Sequence, residues 1–529
     1  MASAKVRVLT SQGVTRATGI VAASFVLAGL LGVLRNAIIS GQFGAGDALD
    51  AFNAAYRIPE LLFTLIAGGA LGSAFIPVYS RFLSKNDTVG AQRLASAQLT
   101  LILIFATVLA AIAAIFSPWL TAHILLSGAP AAKQALTADL TRIMLGTVVV
   151  FSASGLVMAI LNANQHFLTP ALAPSMNNLG LILGALLLTP SLGVYGLAWG
   201  AVLGSLLHIG IQVPALIQAG LRLRPLPNIR VPGVIEVFLL MGPRVFGSAV
   251  VQINFIVNTA LTSSMKSGSL TALQYAFALM FTVLGVLGQS VGTAVFPTLS
   301  ALHAQGDQAG FRRTLADAMR RVLFMSVPAT AGIIVLARPL VATIYQHGLW
   351  TVEATTATTW ALRFFVIGLV AFALQEVFAR AFFALQDTIT PVIVGAGAVA
   401  LNVALSLIFI RFVQGSDPAQ GPFGGLALSN ALATIVETGV LWLLLRRRTG
   451  GMDERSVFDA AERFAIISLM MGIIVYAFAR FADSLPPFLV LILGTAIGGV
   501  IFEIGALLFG IPEARTVPET LLRRFRRRA

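Results

Sequence analysis

Long apolar stretches fill almost all of this 529-residue chain and limit what it can fold into. Hydrophobic residues make up 57% of the sequence and charged residues 11%, whereas an ordinary soluble domain carries about 25% charged residues. A helix needs about 20 apolar residues to cross a bilayer. Stretches of that length between polar or Pro/Gly breaks number fourteen, from 17–40 to 486–510. The sequence predicts an all-α polytopic membrane protein with about fourteen transmembrane helices.

The basic residues predict the orientation of these helices. The formal net charge of +14 could suggest a nucleic-acid partner, but cytoplasmic loops of membrane proteins also collect Lys and Arg. Most of the 35 basic residues fall on the two tails and on alternate loops, which share one face of the membrane. We therefore expect both termini in the cytoplasm, the lipid bilayer as a partner, and no nucleic acid.

The chain also contains an internal repeat. Two motifs recur: Ala74-Phe75-Ile76-Pro77 with Asp87 recurs as Ala294-Val295-Phe296-Pro297 with Asp307, and Thr169-Pro170 recurs as Thr390-Pro391. The offsets are 220 and 221 residues and span six helices, so the copies insert in the same orientation, as in transporters with parallel repeats. This predicts an N-terminal lobe of helices 1–6 (1–220), a C-terminal lobe of helices 7–12 (221–450), and two extra helices with a basic cytoplasmic tail (451–529).

Motifs for catalysis are missing from the sequence. The chain has no cysteine, no HExxH motif and no Gly-Lys pair for a P-loop, and its five histidines are scattered. We expect neither enzymatic activity nor a metal site, although a membrane transferase acting on a lipid stays open. Without an ATP site, such a chain must move a substrate downhill or couple it to an ion or to the membrane potential.

Several arginines fall inside predicted spans, where a charge costs at least about 2.5–3.5 kcal/mol. They are Arg35, Arg57, Arg142, Arg244, Arg338, Arg363 and Arg380. Arg35 and Arg57 lie about 8 and 10 Å from the outer ends of spans one and two by the helical rise, with Asp50 above them. Guanidinium groups bind phosphate bidentately, so this pair suits an anionic head group. Alternatively, Asp50 and Glu60 merely neutralise the two arginines.

Span seven carries a second group of polar residues. Arg244 follows Pro243 near mid-depth, and Gln252, Asn254 and Asn258 are spaced to share roughly one side of the helix. This polar side could line a substrate path, or it could form hydrogen bonds between helices.

Several motifs resemble those of a known family, the MurJ/MviN family of lipid II flippases. They are Gly32-x-x-Arg35 with Phe43-Gly44-Ala45-Gly46, Asp50-Ala51-Phe52 and Arg57-Ile58-Pro59; Asn162-Ala163 with Phe167, Pro170-Ala171, Pro174 and Asn177/Asn178; Gln252-Ile253-Asn254; and Arg380-Ala381-Phe382-Phe383-Ala384 with Asp387-Thr388 and Thr390-Pro391. Together they cover most of the chain, in order.

The resemblance implies two six-helix lobes around a central cavity, with the last two helices forming a groove for a polyprenyl tail. It also implies alternating access without ATP, coupled to sodium or to the membrane potential, in the bacterial cytoplasmic membrane. The resemblance then assigns the substrate as an undecaprenyl-pyrophosphate-linked peptidoglycan precursor, lipid II. Arg35 and Arg57 would bind the pyrophosphate, Asp50 would orient them, and Arg244, Gln252 and Asn254 would line the cavity.

The sequence departs from the family's usual cavity charges. Where the family carries charged side chains, this chain has Gly29, Phe63, Thr64, Gly68 and Ala278, and the acid expected near the end of span seven is Asn258. A sodium site would use Asn258, Asn402 and Thr434. The lost charges keep two rival functions open. One is a paralogue exporting another polyprenyl-linked glycan or an amphipathic drug, and the other is a non-transporting scaffold that binds cell-wall synthesis proteins.

Overall fold

A computed structural model describes residues 11–221 and 223–514. Two compact units make up the chain, the first ending at Thr271 and the second beginning at Ala272. The predicted lobe boundary at 220 precedes the seventh span, and the first unit extends past it. The division into 1–220, 221–450 and 451–529 stays a prediction, and the basic tail after 514 lies outside the described residues.

Helices of the first half follow one another with short connections. They are α1 (Ser11–Phe43), α2 (Asp47–Ala55), α3 (Arg57–Ala67), α4 (Gly69–Ser84), α5 (Thr88–Leu120), α6 (Ala131–Ala163), α7 (Leu168–Leu183), α8 (Thr189–Leu192), α9 (Tyr195–Gly210), α10 (Val213–Gln218) and α11 (Val234–Thr262). Short π-helical segments extend α5 and α7, at Thr121–Leu125 and Gly184–Leu188.

The remaining helices continue the same pattern. They are α12 (Ser269–Leu284), α13 (Ser290–Ala304), α14 (Gln308–Tyr345), α15 (Val352–Ile367), α16 (Leu369–Ala384), α17 (Ile389–Phe409), α18 (Phe423–Thr449), α19 (Glu454–Phe481) and α20 (Pro487–Leu508). A π-helical segment, Gly285–Gln289, joins α12 to α13. The two last helices pack against each other and against α14.

The helices confirm the predicted membrane architecture. Within residues 11–221 and 223–514, 12 helical segments are long and apolar enough to cross a bilayer, and the number rises to 14 if each of two bent pairs is one span. The bent pairs are α11, bent by 51° after Gly242, and α15 with α16, bent by 47°. Large apolar side chains face outward, such as Ile115, which is 73% exposed. Such exposure suits a surface in contact with lipid.

The second span is broken into α2, α3 and α4, and these breaks place the site described below. Pro59 lacks a backbone N–H, so it cannot continue the hydrogen-bond ladder of α2. At the second break, a Cβ on Gly68 would lie 2.6 Å from the carbonyl oxygen of Thr64. Only glycine fits this close approach of the backbone to itself.

The backbone confirms the internal repeat. Asn86 and Gly306 both adopt positive φ angles, of 56° and 72°, and the aspartate after each caps the next helix: Asp87 and Asp307 accept a hydrogen bond at 2.8 Å from the N–H of the residue three positions later. The second motif repeats in the same way, since Gln165 and Gln386 have φ angles of 65° and 60°. The repeated sequence motifs therefore correspond to turns with the same backbone geometry.

Candidate substrate-binding cavity

A cavity of about 520 Å³ lies inside the first unit, lined by residues of α3, α4, α6, α7 and α9 together with Tyr56 and Gly68 between helices. Its wall is mostly apolar, with a small set of polar side chains: Glu60, Thr147, Asn162, Asn177, Asn178 and His208. A largely apolar wall with a few placed polar groups is the usual composition of a ligand site. Phe63 and Gly68 also line it, at positions where the resemblance implies charged residues.

Arg35 reaches the edge of this cavity from α1. Its Nη1 donates a hydrogen bond to Asn178 Oδ1 at 3.0 Å, and its Nε and Nη2 donate to Asn36 Oδ1 at 3.1 and 2.9 Å. The Asn178 amide in turn donates to the carbonyl of Ala28. The guanidinium is therefore held by neutral amides, which leave its positive charge uncompensated.

Arg57 approaches the same cavity from the first turn of α3. Its Nη1 lies 2.8 Å from Glu60 Oε2, and its side chain is only 11% exposed. The guanidinium carbon also lies 4.9 Å from the centre of the Phe255 ring on α11, a cation–π contact. The buried Nε has no hydrogen-bond partner. Glu60 thus neutralises the charge of Arg57, as the alternative interpretation held. The Nε donor of the guanidinium group nevertheless makes no hydrogen bond.

Tyr56 connects the two arginines. Its ring lies in the break between α2 and α3, and its hydroxyl is within electrostatic reach of Arg35, Arg57 and Glu60. The structure therefore brings the two predicted arginines to one side of the cavity, next to residues that line it.

Asp50 does not take the position that the sequence predicted for it. Its carboxylate accepts hydrogen bonds from the backbone N–H groups of Gly268 and Thr271, both at 2.9 Å, and from the Thr271 hydroxyl at 2.7 Å. It also forms an ion pair with Lys133 at 2.9 Å. The prediction that Asp50 orients the arginines is wrong, because four other donors occupy its two oxygens. Its role is to tie α2 to α6 and to the start of α12.

The polar residues of α11 contact neighbouring helices. Gln252 donates to the Thr64 hydroxyl of α3 at 3.1 Å, which is the interhelical bonding that the sequence left open. Asn254 and Asn258 are 8% and 9% exposed, and Asn258 Oδ1 is buried with no partner. The side chain of Arg244 lies outside the described residues.

The residues predicted to bind sodium belong to both units. Asn258 lies in the first, whereas Asn402 and Thr434 lie on α17 and α18 of the second, 2% and 5% exposed. Asn402 Oδ1 accepts from Ser406 at 3.2 Å, and the Thr434 hydroxyl donates to the Asn430 carbonyl at 3.0 Å. Within the described part of the chain, no group of three or more His, Cys, Asp or Glu side chains could hold a metal ion.

One polar network at the cavity was missed by the sequence reasoning. His208 Nδ1 lies 2.6 Å from the Ser154 hydroxyl, and Gln212 donates to the same hydroxyl at 2.7 Å. In the sequence, His208 is one of five scattered histidines. The four-residue spacing of His208 and Gln212, which would put both on one face of a continuous helix, was the available signal.

Related proteins share this sequence along most of its length. A protein described as lipid II flippase MurJ from Burkholderia cenocepacia is 30% identical over 80% of this chain and 82% of its own length. Probable lipid II flippases MurJ from Vibrio cholerae and Haemophilus influenzae are 31% and 32% identical, covering 80% and 83% of this chain and 81% and 86% of their own.

Solved structures share the fold. A structure described as lipid II flippase MurJ in an inward closed conformation matches with a TM-score of 0.79 and 25% identity, over 92% of this chain and 98% of that one. An inward-facing multidrug transporter of the MATE family matches with a TM-score of 0.66 over 80% and 94%; at 15% identity it supports the fold alone. The family model described as lipid II flippase MurJ covers residues 39–495. The chain is therefore a multi-pass membrane protein that belongs to the MurJ family.

Proposed function

We propose that this chain moves lipid II from the inner to the outer leaflet of the bacterial cytoplasmic membrane by alternating access. Its membership of the MurJ family over most of its length supports this, and the observation that carries it is the convergence of Arg35 and Arg57 on one side of the cavity. The termini would lie in the cytoplasm, and the protein would carry out no chemistry on its substrate.

The two arginines would bind the diphosphate of the lipid by exchanging partners. Arg35 would release the neutral amides of Asn36 and Asn178, and Arg57 would use its unpaired Nε. Charge-assisted, bidentate bonds to phosphate are stronger than bonds to neutral amides. The few polar side chains of the cavity would contact the polar head, while the polyprenyl tail would lie along α19 and α20, in contact with lipid.

Energy for transport would come from the membrane potential or from a sodium gradient. The amide oxygen of Asn258 is buried without a partner, and Asn402 and Thr434 add further oxygens in the second unit. These neutral oxygens are of the type that a hard cation accepts. Cell-wall synthesis proteins are proposed as partners, since they would use the lipid after transport.

Complementation tests this function. The chain is expressed in bacteria depleted of their own lipid II flippase, and lipid II in the outer leaflet is measured. We expect the wild type and Arg142→Ala to restore transport, because Arg142 pairs with Asp139 at an exposed site, and Arg35→Ala to fail at equal protein level. Transport by Arg35→Ala equal to wild type would contradict the proposed binding site.

A further inference from the structure

A carboxylate lies at mid-span on one helix of the second unit. Glu437 is on α18, 14 residues after Phe423 and 12 before Thr449. At 1.5 Å per residue it lies about 18–21 Å from either end of the helix. Ionisable residues this deep in a membrane protein are costly and mark ion or substrate pathways.

Two neighbouring helices of the second unit contact this carboxylate. Gln375 on α16 donates a hydrogen bond to Glu437 Oε1 at 2.6 Å. On α17, Gly395 has no side chain, so the α17 backbone can approach Glu437: a Cβ added at Gly395 would lie 3.3 Å from the same oxygen. The next residue, Thr438, donates to the Ala371 carbonyl at 3.0 Å and fixes α18 against α16. The side chain is half-buried, and within the described residues its second oxygen has no hydrogen-bond partner.

The cations on the neighbouring helices have other contacts. α17 has no ionisable side chain. α16 also carries Glu376 and Arg380. Arg380 lies on the side of α13, since its Cγ would be 3.5 Å from a Cβ added at Gly292. On α15, Arg363 interacts with Arg338 and Tyr476.

The other charges of these helices lie near helix ends. Glu353 is in the first turn of α15. On α18 itself, Arg446 and Arg448 pair with Glu454 and Asp387, and Arg447 lies about 15 Å along the helix from Glu437. Among the described residues, no cation forms an ion pair with Glu437.

We propose that Glu437 is a proton-binding site that couples transport to the inward movement of protons. This inference rests on the proposed function and names the proton, in place of sodium, as the ion that drives it. A buried carboxylate with one neutral partner is stabilised by taking up a proton. A hard metal cation would instead need several oxygen ligands, whereas the nearest partner here is an N–H donor.

The proposed step is a reversible protonation. In the outward-open state, the free oxygen of Glu437 forms an O–H bond with a proton from water. In the inward-open state the bond breaks and the proton passes to cytoplasmic water, so the carboxylate is restored. Because each proton carries one charge inward, this cycle also draws on the membrane potential.

Infrared spectroscopy tests the site without reference to lipid transport. The purified full chain is titrated from alkaline to acidic pH, and the protonated-carboxyl band is compared between wild type, Glu437→Gln and Glu462→Gln. Gln keeps the size and the hydrogen-bond acceptor, and Glu462 is an exposed control on α19. We expect a band that is lost in Glu437→Gln alone. A band unchanged by that variant would overturn the proposal.

Transport in proteoliposomes tests the coupling. An inward proton gradient of one pH unit should raise wild-type and Glu462→Gln flipping of lipid II up to about tenfold per proton, and should leave Glu437→Gln unchanged. Wild-type flipping that ignores the gradient would overturn the proton coupling and leave the proposed function intact. If wild type flips no lipid II, the proposed function fails, and the infrared band alone decides whether Glu437 binds a proton.

Discussion

The two units repeat the same loop backbone but differ in the charges that their helices bury. Each unit has a positive-φ residue followed by a capping aspartate, at Asp87 and at Asp307. The first unit holds two partly buried arginines and a buried, multiply bonded carboxylate, Asp50, whereas the second holds half-buried Glu437 with a single neutral partner. The repeat thus preserves local turn geometry, while the membrane-depth charges differ between the two units.

Removing the two carboxylates should show the largest contrast in stability. Asp50→Ala leaves two backbone N–H groups and the Thr271 hydroxyl without their acceptor and Lys133 with Asp47 alone, and we expect a loss of about 3–5 kcal/mol of unfolding free energy. Glu437→Gln removes a charge and keeps a single bond, so we expect a change of about 1 kcal/mol or less. Thermal unfolding in detergent measures both, and equal losses would break the comparison.

The arginine of α3 should show the next largest effect, on transport. Arg57→Lys keeps the positive charge but loses the planar guanidinium group, including the Nε donor that has no hydrogen-bond partner. A charge-assisted bond contributes about 1.5–3 kcal/mol, so flipping should fall about ten- to a hundredfold. Lipid II in the outer leaflet is the measurement, with Arg363→Lys in the second unit as the matched control. A larger loss in the control would move the binding site to the other unit.

The repeated caps should have equal, smaller effects. Asp87→Ala and Asp307→Ala each remove one N-cap bond of 2.8 Å, and loss of such a cap costs about 1 kcal/mol. Thermal unfolding of the two variants should therefore shift by the same amount. A clear difference between them would show that the repeat is one of sequence only.

The smallest effect should be a pH dependence confined to the second unit. Burial alone would raise the pKa of Asp387, but hydrogen bonds from the Thr390 hydroxyl and backbone and the charge of Arg448 outweigh it and hold this pKa below its usual value. A lowered carboxylate pKa stabilises the fold above the unfolded-state pKa, and this contribution is lost as pH falls through the folded value.

We therefore expect Asp387→Asn to lower stability at neutral pH by less than about 1 kcal/mol, because Arg448 is half exposed. The difference from wild type should vanish in strong acid. His166 occupies the repeat position in the first unit, so His166→Asn serves as the control. Unfolding is measured at neutral and at acidic pH. A difference in stability between Asp387→Asn and wild type that persists in acid would contradict this account.

Much of the architecture could be predicted because it follows from composition and local pattern. The apolar stretches gave the membrane spans, since a helix across lipid must satisfy its backbone bonds internally. The Pro and Asp residues of the repeat predicted a recurring structure, which the backbone confirms at Asp87 and Asp307. Arg35 and Arg57 were found because a charge at membrane depth is rare and costly.

The hydrogen-bond and ion-pair partners that side chains find on other helices could not be predicted from the sequence. Asp50 was expected beside the arginines, yet it bonds Lys133 and Thr271, which lie 83 and 221 residues away in the chain. Glu437 drew no notice, because nothing in the letters shows that its neighbour is an amide and not a cation. Periodicity and hydropathy are local properties and determine which segments cross the membrane. Which buried charges are paired depends on contacts between distant helices, and only the tertiary structure decides those.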